Sequence, residues 1–193
     1  MAIRSSFKNM VLCLGLVTLL CGALLGGAFV LTQDKIALSE AENTRRAIAA
    51  VLPAFDALSE LQGSGDDTYY IARNAQGDTV GFAVNASSGS GFGGPIRLMV
   101  GFYADGRICN TAVLSQSETP GLGAKCTEEQ FASQFRGFDP SQKLLKARRK
   151  GGSEGDIDAI TAATITSRAY CEAVASAVKV FAAINTKEEQ SYE

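Results

Sequence analysis

One stretch constrains this chain before anything else. Met10 to Thr32, MVLCLGLVTLLCGALLGGAFVLT, carries no charged residue. As a helix rising ~1.5 Å per residue it extends roughly 33 Å, enough to cross a hydrocarbon core of ~30 Å. Arg4 and Lys8 precede it. By the positive-inside rule, residues 1–9 are then cytoplasmic, 10–32 form a transmembrane helix, and the bulk of the chain lies outside. A cleaved signal peptide is the alternative, with Gly26, Gly27 and Ala28 as small residues near a cut. The run is long for the apolar core of such a signal, which favours a retained anchor. A lipoprotein signal at Cys21 is disfavoured by the large Leu20 before it.

Beyond the apolar run, the remaining chain has the size of one domain. Ile36, Ala41, Ile48 and Val51 fall at helical spacing and Pro53 closes the pattern, so residues 33–55 read as a connecting helix. Residues 56–186 form the outer domain, and 187–193 are a polar tail. The composition narrows the chemistry. There are five Cys, no His and a net charge of −2. Absent histidine excludes Ser-His-Asp and Cys-His catalysis, His-based zinc sites and a histidyl cofactor linkage. The charge gives no reason to expect nucleic acid. Cys109, Cys126 and Cys171 are too widely spaced for an iron–sulfur cluster, so buried free thiols are expected, with one disulfide as the alternative.

The outer domain is expected to be α+β: hairpins in an antiparallel sheet, covered by helices from both ends of the domain. TYYIARNAQGDTVGFAVNAS reads as one hairpin, turning at Gly77 and Asp78, and IRLMVGFYADGRICNTAVL as a second. Asp105-Gly106 in the latter signals a type I′ turn. Between them, SSGSGFGGP (Ser87 to Pro95) is either a flexible loop or one whose glycines let the backbone approach something closely. Pro120-Gly121 suits the centre of a type II turn. Thr127 with Gln130 suggests a capping box opening a helix that places Phe131 and Phe135 on one face. The basic run from Lys143 to Lys150 reads as a solvated strand or loop, with a phosphate contact as the alternative. Tyr170, Val174, Val178, Phe181 and Ile184 recur at helical spacing and predict a final amphipathic helix.

Just before that helix, DAITAATITS places Thr161, Thr164, Thr166 and Ser167 within ten residues. A helix start suits a phosphate, because its free N–H groups and positive dipole end face outward. Ser and Thr are equally the commonest helix caps. Thr166 and Ser167 suit capping, and Thr161 suits bracing the loop.

Asp158-x-x-Thr161-Ala162-Ala163-Thr164 resembles the flavinylation motif D-x-x-S/T-G-A-T of covalent FMN-binding domains. The resemblance implies that Thr164 is joined through a phosphoester to FMN by a separate flavin transferase. It places Asp158, Thr161, Ala162, Ala163, Ile165, Thr166 and Ser167 around the attachment point. The segment ETPGLGAK resembles the family's loop beside the isoalloxazine, which implies flavin contacts by Glu118, Thr119, Pro120, Gly121, Leu122, Gly123 and Lys125. GFGGPIRLMVGF, Gly91 to Phe102, resembles its glycine-rich strand entry. One departure stands out: Ala162 replaces the usual Gly, and alanine disfavours φ > 0.

With its membrane helix, the whole chain resembles the G subunits of Rnf-type ion-translocating oxidoreductase complexes. That implies a redox subunit without stand-alone catalysis, anchored in a bacterial inner membrane with its FMN domain on the outer side. It would pass electrons among partner membrane subunits in a complex linking ferredoxin and NAD to Na⁺ or H⁺ movement. The subunit alone would move no ion, since its one helix holds no charge within the membrane. Two alternatives stand beside it. One is the C subunit of a sodium-pumping NADH:quinone oxidoreductase, which shares the motifs on a longer chain. The other is a membrane-anchored ligand-binding domain without redox work.

Overall fold

Alternation along the strands decides how this sheet is covered. The computed structural model describes residues 7–62, 68–149 and 152–191. The sequence expectations at Arg4, at Lys150 and in the tail at Tyr192 and Glu193 lie outside the described residues. Five strands, β1 (Ala57–Gln62), β2 (Thr68–Arg73), β3 (Thr79–Ser88), β4 (Ile96–Tyr103) and β5 (Ile108–Ser115), form an antiparallel meander in the order β1-β2-β3-β4-β5. Successive side chains point to opposite faces. Phe82, Val84, Ala86, Leu98, Val100 and Phe102 thus share one face, while Ala83 and Met99 share the other.

Each face has its own helix. α3 (Thr164–Ser191) packs Tyr170, Val174, Ala177 and Phe181 on the first. Phe181 stacks on Phe102 with centroids 4.8 Å apart and meets Phe82 edge-on at 5.3 Å. Tyr170 lies between Phe131 and Phe135 and donates a hydrogen bond to Thr111 Oγ1 at 2.8 Å. Burial of about ten such side chains, at ~1.5–3 kcal/mol each, outweighs any single polar contact in the domain. α3 runs on to Ser191, into the stretch expected as a polar tail.

The second face is covered by the end of α1 (Phe7–Val51), where Ala47, Ile48 and Val51 pack with Leu52 on Tyr70, Ala72, Ala83 and Met99. Two glycines let it settle there. A Cβ on Gly101 would collide with the carbonyl of Val51, and one on Gly81 would lie 2.7 Å from Phe102 O and 3.1 Å from Leu52. Asn110 Nδ2 donates to Ala50 O at 2.9 Å, fixing the same helix end. α1 closes two residues before Pro53, as expected of a residue that disfavours helix before it.

The chain divides into two compact units, residues 1–42 and 43–193. In the first, residues 7–42 belong to α1, which has a segment long and apolar enough to cross a membrane. The sheet, α3 and the end of α1 belong to the second.

Two local expectations need correction. Asp105-Gly106 is not a type I′ turn, because only Gly106 has positive φ, at +85°. Gly106 N–H donates to Tyr103 O and Tyr103 N–H to Arg107 O, giving a type I turn followed by a glycine bulge. The capping box is absent as well. Thr127 Oγ1 donates backward to Ala124 O at 2.9 Å, closing a 3₁₀ turn over Gly123–Thr127. The helix α2 (Glu129–Ala132) starts without a side-chain cap and lasts one turn. Phe131 and Phe135 are nevertheless both buried, 5.7 Å apart and edge-on. Part of the basic run is a short strand, one of the two forms expected: β6 (Ala147–Arg148), parallel to β7 (Ile157–Asp158). There Arg148 Nε donates to Asp158 Oδ1 at 2.8 Å, and both side chains remain partly exposed. The type II turn is as expected, with Gly121 at φ +77° and Leu122 N–H donating to Thr119 O.

Candidate functional site

From β7 the chain must reverse into α3 within five residues. Ala163 N–H donates to Ile160 O at 3.0 Å, and Ser167 N–H to Ala163 O at 3.0 Å. The tight reversal puts Ala162 at φ +63°, the one non-glycine residue with positive φ among the described residues. The departure from the motif therefore falls where it costs most, since a Cβ there clashes with the following carbonyl for roughly 1–2 kcal/mol. Ala162→Gly is expected to stabilise the full chain by about 1 kcal/mol, net of the entropy glycine adds to the unfolded state. Urea unfolding checks this, and a loss of stability would contradict it.

The four hydroxyls have four different surroundings. Ser167 is buried and holds the loop, accepting from Ile160 N–H at 2.9 Å and donating to Ala163 O at 2.9 Å. Thr166 does not cap the helix. Its Oγ1 donates to Glu118 Oε2 at 2.7 Å, joining two segments 48 residues apart. Thr161 is exposed and makes no side-chain hydrogen bond among the described residues. Thr164, half-buried at the first position of α3, also makes none, and the N–H groups of the first turn around it have no partner within the helix.

Thr164 opens onto a cleft of about 350 Å³ lined by Phe92, Glu118, Thr119, Leu122, Gly123, Ala162, Ala163, Ile165 and Thr166. Phe92, Leu122 and Ile165 are large apolar side chains left 71%, 44% and 52% exposed. Leu58 and Leu144 are also exposed in the outer domain, but singly; here three such groups border one concavity, which suits an apolar partner. The glycine-rich loop is not loose. A Cβ on Gly93 would collide with Ser117 O, and one on Gly91 would sit 2.7 Å from Glu118 Oε1. Gly93 N–H donates to that Oε1 at 3.2 Å. The close approach expected of these glycines is thus to the Ser117–Glu118 backbone and carboxylate.

The residues named from the sequence do not all gather here. Asp158, Thr161 and Lys125 line a separate cleft of about 370 Å³ with Glu128, Gln130, Phe131 and Gln134. Asp158 is fixed by Arg148 and by Gln134, which accepts from its N–H at 2.7 Å and donates to its carbonyl at 3.2 Å. Ser167 is inaccessible, and Pro120 and Gly121 form the exposed turn beside the first cleft. Sequence reasoning misses Phe92 and Gln134. A lone aromatic among glycines could signal the first; nothing in the sequence signals the second. The cysteines of the outer domain are free thiols. Burial, and then the neighbouring Glu118 carboxylate, push the Cys126 thiol up to about 11. Burial and then Glu172 push Cys171 up to about 12. No metal-ligating cluster occurs among the described residues.

Residues 91–179 match the family model of the FMN-binding domain, a span that includes the glycine loop, the cleft and Thr164. Over that span the outer region is similar to FMN-binding domains. Among relatives, the chain is 35% identical over 188 residues to the G subunit of the ion-translocating oxidoreductase complex of Shewanella baltica, covering 87% of this chain and 86% of that one. It is 28% identical over 158 residues to the G subunit of the proton-translocating ferredoxin:NAD(+) oxidoreductase complex of Clostridium ljungdahlii, covering 82% of each. NqrC of Shewanella oneidensis, a solved structure, aligns with a TM-score of 0.45 and 23% identity over 60% of this chain and 61% of that one. The chain belongs to the family of G subunits of ion-translocating oxidoreductase complexes.

Proposed function

We propose that this chain is the membrane-anchored flavoprotein subunit of an Rnf-type complex, with FMN held covalently through a phosphoester to Thr164. The observation that carries the reading is the uncommitted hydroxyl of Thr164. Of the four clustered hydroxyls, it alone both faces the apolar cleft and lacks a structural bond. Bound FMN would supply reversible electron uptake. The residues of this chain would hold it. Thr164 and the first-turn N–H groups of α3 suit the phosphate. Phe92, Leu122 and Ile165 suit the faces of the ring, and the Glu118–Thr166–Gly93 bonds keep the two loops at a fixed separation. A tether prevents loss of the cofactor outside the cytoplasm, and no general acid or base is required, in keeping with a chain that has no His.

On this reading α1 anchors the chain, residues 1–9 face the cytoplasm and the FMN domain faces outward. Electrons pass between neighbouring subunits of a complex that links ferredoxin and NAD to Na⁺ or H⁺ movement, and a flavin transferase matures the chain. The test is a denaturing gel of the full chain produced with and without a flavin transferase. A fluorescent band near 20.2 kDa is expected only with the transferase. A dark band in both would sink the covalent assignment.

A further inference from the structure

The carboxylate of Glu118 is more than the loop clasp requires. It is 6% exposed, lines the Thr164 cleft, and accepts from Thr166 Oγ1 on one oxygen and Gly93 N–H on the other. Both oxygens acting as acceptors is the pattern of an ionised carboxylate. Bare backbone surrounds it: a Cβ on Gly123 would stand 2.5 Å from Oε2, and one on Gly91 2.7 Å from Oε1. No Lys or Arg forms an ion pair with it among the described residues. A neutral Gln would hold the same loops, accepting from Gly93 N–H and donating to the rotatable Thr166 hydroxyl. The negative charge is thus a surplus, placed against a cleft whose walls are apolar.

We propose that Glu118 sets the reduction potential of the flavin in this cleft and keeps it low, an inference that rests on the flavin reading of the site. Two electrons and one proton taken up by oxidised FMN leave one net negative charge added to the ring. A fixed negative charge on a buried carboxylate beside the ring opposes that addition, because a buried charge is weakly screened. Removing the charge favours the reduced form.

The test is a redox titration of three full-length, flavin-loaded chains: wild type, Glu118→Gln and Glu118→Asp. The first variant keeps the hydrogen bonds and loses the charge; the second keeps the charge and disturbs the bonds. For Glu118→Gln the ratio of reduced to oxidised flavin at a fixed ambient potential is expected to rise at least tenfold, about 30 mV for a two-electron couple. Glu118→Asp is expected to stay near wild type. An unchanged potential in Glu118→Gln, or an equal rise in Glu118→Asp, overturns the proposal while leaving the flavin assignment standing. A wild-type chain without covalent flavin overturns both. Should Glu118→Gln fail to fold or load, the infrared difference between oxidised and reduced wild type decides. A shifted glutamate carboxylate band is expected, and its absence overturns the proposal.

Discussion

Thr164→Val, produced alongside a flavin transferase, is expected to lose all covalent flavin and keep its fold. Valine has the shape of threonine and is β-branched, so the first turn of α3 tolerates it. Among the described residues Thr164 makes no side-chain hydrogen bond that the substitution would break, and its half-buried site costs little to make apolar. Unfolding midpoints should therefore agree with wild type within about 0.5 kcal/mol, the range of substitutions away from packed or bonded features. The contrast is Thr166→Val, which leaves Glu118 Oε2 buried without its donor. That substitution is expected to cost roughly 1–3 kcal/mol. Retention of flavin by Thr164→Val would move the attachment elsewhere, with Thr161 the next hydroxyl to examine.

Gly101→Ala is expected to destabilise the outer domain strongly. In an ordinary strand, replacing Gly by Ala removes an entropic cost of roughly 0.5–1 kcal/mol and so stabilises. Here the sign reverses. The new methyl group points at the Val51 carbonyl, and a backbone atom cannot rotate aside as a side chain can. The end of α1 has to lift from Ala83 and Met99, opening the second core. Overpacking of this kind costs about 3 kcal/mol, which for a domain of this size lowers Tm by roughly 6–12 °C. Gly89→Ala, where no atom lies within 4 Å and φ is not positive, is the matched control, with a change near zero. Equal melting of the two variants would contradict the packing described for that face.

The sequence announces local features well and long-range ones poorly. Both central hairpins and α3 follow from alternation, turn residues and helical spacing, all of which act over a few residues. β1 has no such signal, because ALSELQ lacks β-branched residues and becomes a strand only by pairing with β2. The capping box fails for a related reason. Thr127 has two acceptable local uses, and the preceding turn takes it.

The site divides in the same way. Thr164 at a helix start is legible from its neighbours and from the family motif. The Glu118–Thr166 bond joins residues 48 positions apart, and no local pattern encodes it. Asp158 and Thr161 belong to the motif in sequence, yet they precede the reversal at Ala162 and line the other cleft, where Lys125 joins them from the 3₁₀ turn. Ala162 itself is marked in the sequence only by its departure from the family pattern, and its backbone angle gives that departure a physical cost.

Peptide mapping by mass spectrometry tests the covalent assignment most directly. The full chain, produced with a flavin transferase, should yield a peptide containing Thr164 that is heavier by one FMN-phosphoryl group, with fragment ions placing the increment on Thr164. An unmodified Thr164 peptide, or the increment on Thr161, Thr166 or Ser167, would contradict it.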